Sequence, residues 1–291
     1  MYTALAPTLL LSIAVFASTP SPLEQATAAA QRLRDSTAGE ALPQFRHALR
    51  DLAAQELDRG PADATKVLAT VIAKAGLAYR PDAPAACGGT GDVRVEAVAG
   101  HPELRAVVVS LQVPAGADEA LYLFERHGVA WRLAIALEAP TFTDGRQARE
   151  GLQYAVSPTD ADGRWFVVAT WGIPWPTSCW NSLHFVAVRP GNDPEHPVEL
   201  GSGSRSDYRC MDQRVRIETS PTGFALAYWG WHEAEPGSSR VHIEQYVVDG
   251  HQLRQGPPTA ATADGFPVLD GRAGAGETDR TELEEAQTAI V

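Results

Sequence analysis

A mainly β chain, built from three antiparallel four-stranded repeat units and preceded by an α-helical N-terminal segment, is the fold class that the sequence predicts. Three observations carry it. Ser157-Pro158-Thr159 and Ser220-Pro221-Thr222 each lead into an apolar stretch ending in Trp-Gly. A spacing of about 60 residues between the two copies leaves room for about four short strands per unit. Each copy is followed by a second alternating strand pair closed by turn residues, Pro190-Gly191-Asn192-Asp193-Pro194 in one and Asp249-Gly250 in the other.

The elements follow in order. Residues 1–17 carry no charged side chain, Leu9 to Phe16 is apolar, and Val15-Phe16-Ala17 fits a cleavage site, so a signal peptide and export to the periplasm or medium of a bacterium are expected. No membrane span is expected after its removal, since about 20 apolar residues would be needed. Residues 18–78 form a helical segment. Ser21-Pro22-Leu23-Glu24 has the form of a capping box with proline at the first helical position. Further helices are expected over about 42–57 and 62–75, where Leu42, Phe45, Leu49 and Leu52 fall on one face. Residues 79–92, rich in Pro, Gly and Ala, read as a linker.

The β-repeat domain spans 93–258. Its first unit, about 93–138, contains Val107-Val108-Val109 and a turn at His127-Gly128; the second covers about 152–200 and the third about 215–255. Trp165 to Val168 is apolar on both faces, as in a strand covered on each side. Residues 259–291 form an acidic tail expected to be disordered.

The order Ser-Pro, turn, apolar strand, then a strand pair across a glycine turn resembles the repeat of TolB-type β-propellers, over Ser157 to Leu200 and Ser220 to Gln255. The resemblance implies stacked four-stranded sheets and an interaction surface outside the cytoplasm. Propellers close with 4 to 8 blades and three units are counted here, so an open array, a sandwich and a trefoil-like closure all stay open.

The formal net charge is -12, and no basic stripe offsets it, which argues against nucleic acid as a partner. In an oxidising compartment Cys179 and Cys210 could close a loop worth about 3 to 4 kcal/mol, leaving Cys87 unpaired; three cysteines allow three alternative bridges. None of the eight histidines has zinc-ligand spacing, and no cofactor motif occurs. Asp160 and Asp162 could offer oxygens to calcium, but an ordinary β-turn explains them better. Neither Cys179 near His184 nor Ser178 sits in a nucleophile signature, and no glycosidase carboxylate pair can be nominated from spacing.

Aromatic density is the one unusual local chemistry. Trp175, Trp180, Trp231 and His232 are the candidate ligand-binding residues, on loops where rings can stack on a ligand or anchor a partner. Their alternative role is to plug the junction between sheets. The expected function is a non-catalytic exported binding or scaffold module for a protein or glycan; the alternative is an exported hydrolase whose acid and base come from separate repeats.

Overall fold

The computed structural model describes residues 19–35, 38–78, 92–113, 116–138, 150–174, 180–208, 215–231 and 239–256. Cys87, Trp175, Cys179, Cys210, His232 and the acidic tail lie outside them, as does the segment expected to be a signal peptide. No helix among the described residues is long and apolar enough to cross a membrane.

Among the described residues, three helices come first: α1 (Pro22–Asp35), α2 (Ala38–Arg59) and α3 (Pro61–Lys74). The capping box forms as expected, with the Ser21 backbone N–H donating to Glu24 Oε2 at 2.8 Å and the Glu24 N–H returning to Ser21 Oγ at 3.3 Å. Pro43 stands inside α2 instead of at its first turn, because the helix begins four residues earlier than the apolar stripe suggested.

Among the described residues, twelve strands follow in three four-stranded antiparallel sheets. The first holds β1 (Val93–Val98), β2 (His101–Val113), β3 (Gly116–His127) and β4 (Ala130–Leu137). The second holds β5 (Glu150–Val156), β6 (Val167–Pro174), β7 (Trp180–Arg189) and β8 (Val198–Tyr208); the third holds β9 (Arg216–Ser220), β10 (Gly223–Trp231), β11 (Ser239–Asp249) and β12 (Gln252–Gln255). Each sheet is a meander in sequence order. The glycine turns fall where expected, Gly128 between β3 and β4 at φ 66° and Gly250 between β11 and β12 at φ 61°.

Layering follows from which strand faces are apolar. One face of the first sheet, with Val107, Val109 and Tyr122, packs against Phe45, Leu49 and Leu68 of the helices. Its other face, with Leu104, Val108 and Leu121, packs on Val167, Ala169 and Val188 of the second sheet. Phe166, Val168 and Phe185 of the second sheet then meet Phe224, Leu226 and Tyr246 of the third. The middle strands are therefore apolar on both faces because both faces are covered. The result is a row of helices and three sheets, propeller-like or sandwich-like, with no closed barrel among the described residues.

Ser157 and Ser220 occupy matching places, each ending the first strand of its sheet. Ser157 Oγ accepts from the Phe166 N–H at 3.0 Å, and Ser220 Oγ donates to the Gly223 carbonyl at 3.3 Å. Strand pairing, however, sets Val156 opposite Val167 and Ser220 opposite Gly223. Counting on from there, Trp171 stands in register with Tyr228 and not with Trp229. The two Trp-Gly copies are thus one residue out of phase.

Candidate functional site

Within each meander the hairpin links alternate between the two ends of the sheet, so β6–β7 lies opposite β5–β6 and β7–β8 in the second, and β10–β11 lies opposite β9–β10 and β11–β12 in the third. Trp180 opens β7, pairing with Tyr208, and Trp231 closes β10, pairing with Ser239, so their backbones stand at the β6–β7 and β10–β11 ends of their sheets. Their side chains, like all of Trp175 and His232, lie outside the described residues.

The described residues instead form a cleft of about 820 Å³ between the first and second sheets, roofed by α2. It lies along the edge strands β4 and β8 and the interior strand β7. Its apolar wall is a cross-strand pair: Trp171 on β6 stands opposite His184 on β7, and the two rings stack with centroids 5.8 Å apart and planes 11° from parallel. The opposite side comes from Ala136 and Leu137. The rim is polar, with Glu195, His196 and Glu199 from the β7–β8 loop and strand, and Ser202 and Ser204 from β8.

Arg50 closes the roof. Its guanidinium donates to Glu138 Oε1 at 3.1 Å and to Glu195 Oε1 at 2.7 Å, and lies 3.1 Å from His47 Nδ1. Glu138 also accepts from the Tyr122 hydroxyl at 2.7 Å. One side chain therefore ties α2 to the end of β4 and to the β7–β8 loop. The Ala136 N–H donating to the Pro194 carbonyl at 2.8 Å adds a backbone link between the same two sheets. Burial of the Tyr122 hydroxyl beside Glu138 pushes its pKa well up, which keeps it a donor at neutral pH.

Among the described residues, the junction between the second and third sheets is closed where this one is open. Tyr228 and His242 form the register-equivalent pair, stacked with centroids 5.5 Å apart and planes at 15°. In front of them lies a charged network. Arg205 grips Glu244 with Nε at 2.8 Å and a second nitrogen at 3.1 Å, while the Tyr228 hydroxyl donates to Glu244 at 2.8 Å and that of Tyr246 donates as well. Burial works to raise the Glu244 pKa, but the donors Arg205, Tyr246 and Tyr228 outweigh it and hold the carboxyl below its usual value. With that network in place, Tyr228 is only 5% exposed.

The Asp160 loop resolves as a turn. Asp160 Oδ1 accepts from the Asp162 and Arg164 N–H groups, each at 2.9 Å, and Oδ2 from Arg164 Nε at 3.0 Å. Those bonds account for the acidic residues without a cation. Among the described residues, no three His, Cys, Asp or Glu side chains converge as metal ligands.

Sequence reasoning placed Trp171 among the aromatic residues but did not single it out, and missed Arg50, Glu138 and Glu195 as a group. Their separations in the chain are 88 and 145 residues from Arg50, beyond any motif. The available signal was the strand register, which sets Trp171 against His184. Compared with known proteins, the chain matches no family model, no curated protein and no solved structure.

Proposed function

We propose that the protein is an exported, non-catalytic binding module that holds a neutral glycan in the cleft between its first two sheets. The carrying observation is the Trp171–His184 stack set beside a rim of Glu195, Glu199, Ser202 and Ser204. A sugar ring offers an apolar C–H face and a girdle of hydroxyls, so it needs an aromatic surface on one side and hydrogen-bond acceptors around it. A cleft of about 820 Å³ is in the size range of small-molecule sites. Export rests on the apolar, uncharged segment before Ser18.

A hydrolase drawing its acid and base from separate repeats is the second reading, favoured by Glu138 and Glu195 reaching one cleft from different units. Both carboxylates are engaged by Arg50, an arrangement that suits a structural ion-pair network better than a pair flanking a scissile bond. The test is binding of the purified full chain to a glycan array, followed by calorimetry on the sugars retained. Trp171→Ala is expected to weaken binding at least tenfold without release of reducing ends from the bound sugar. Unchanged binding by Trp171→Ala overturns the reading, and steady release of reducing ends moves it to the hydrolase.

A further inference from the structure

A second hollow, of about 560 Å³, lies between α1 and α2. Its floor is made of small side chains, Ala28, Ala29 and Ala48, which let the two helices leave a groove; Gln25, Gln44 and Arg32 supply polar walls. Arg50 and Glu195 line both this groove and the inter-sheet cleft. The two hollows therefore share that ion pair as a common boundary.

The divider is low and polar. The Arg50 side chain is 6% exposed, while those of Glu195 and His47 are 46% and 61% exposed, so the charged carboxylate and imidazole edge, not an apolar wall, stand between the chambers. Both chambers pair an uncharged floor with acceptors and donors at the edge, and each alone falls within the volume of a small-molecule site. Polar side chains line the cleft, the shared boundary and the groove in turn: Ser202, Ser204 and Glu199, then Glu195 and His47, then Gln44 and Gln25.

Resting on the glycan reading above, we infer that the site takes a chain of sugars and not a single ring: a linear neutral oligosaccharide lies with one end on Trp171, crosses the Arg50–Glu195 pair, and runs along the α1–α2 groove. The helices are then part of the binding surface. Glu195 and His47 hydrogen-bond the hydroxyls at the crossing, and Gln25 and Gln44 those beyond it.

Length dependence tests this. Calorimetry on the full chain uses three ladders, from dimer to hexamer, of maltose, cellobiose and chitobiose oligomers. At least tenfold tighter binding of hexamer than dimer is expected in the ladder that binds. Ala28 is exposed on α1, so Ala28→Trp fills the groove without touching the core; it should bring hexamer affinity down to that of the dimer and leave dimer affinity unchanged. Gln44→Ala, a milder change at another exposed position, should remove part of the same gain. Length-independent binding that Trp171→Ala still abolishes overturns the extended path and leaves the cleft reading standing. Length-dependent binding insensitive to both groove variants also overturns it. Absence of binding by all three ladders overturns both readings.

Discussion

Replacing Arg50 tests how the helical layer is locked to the sheets. Its guanidinium is almost wholly buried and donates to two carboxylates of unequal exposure, Glu138 at 21% and Glu195 at 46%. A hydrogen bond to a largely desolvated charge contributes about 1.5–3 kcal/mol, whereas a pair with a half-exposed carboxylate contributes about 0.2–1 kcal/mol. Removing a buried ion-pair partner also strands the other charge, although Glu138 keeps the Tyr122 hydroxyl at 2.7 Å and Arg46 at 3.9 Å. Arg50→Met keeps most of the side-chain volume and no longer confines a cation, which offsets part of the loss. The expected net destabilisation is about 2–3 kcal/mol, read from urea unfolding at pH 7 with an unchanged slope. A double-mutant cycle then separates the partners: coupling of Arg50→Met to Glu138→Gln should exceed its coupling to Glu195→Gln. A loss below about 0.5 kcal/mol, or the stronger coupling to Glu195, would refute the burial-weighted argument.

Three further outcomes follow from the packing. Phe224→Ala empties a site stacked 4.8 Å from the Tyr246 ring and 6.1 Å from Phe185, and should cost about 3–5 kcal/mol in urea unfolding, while Val247→Ser, at an exposed position of the third sheet, should change stability by about 0.5 kcal/mol or less. Gly223→Ala would put a methyl group 2.3 Å from the Tyr246 carbonyl oxygen, a backbone atom that cannot step aside, so β10 and β11 must part locally; loss of amide-exchange protection at Tyr246 and Val247 checks it. Glu244 is held below its usual pKa when folded, so its stabilisation is complete above the unfolded value of about 4.3 and is lost as pH falls through the lower folded value. Glu244→Gln should therefore flatten the fall in stability below about pH 4 seen in the wild type, and parallel pH profiles from pH 3 to 7 would contradict that assignment.

The architecture was legible because its signals are local. The Ser21 cap, the Gly128 and Gly250 turns, and the doubly apolar runs at Val107 to Val109 and Trp165 to Val168 each depend on a few adjacent residues; cap, turns and β2 stand where those residues put them, while β6 begins at Val167, two residues into its run. The alignment of the repeats was less legible. Matching Trp171-Gly172 with Trp229-Gly230 by eye slides the copies by one residue, and with a side-chain period of two a single step exchanges the faces of a strand. Register, fixed by hydrogen bonds to the neighbouring strand, pairs Trp171 with Tyr228 instead.

From the sequence alone came a chain that must form helices and then three four-stranded meanders, since cap, turn and burial patterns act over a handful of residues. Only the tertiary structure decided that the first junction between sheets stays open and the second is closed. Arg205 and Glu244, 39 residues apart, clasp each other in front of Tyr228, whereas in front of Trp171 the arginine comes from a helix and holds the two sheets at their rim. Such an outcome depends on which charges meet after the chain has folded, and no short stretch of residues encodes that meeting.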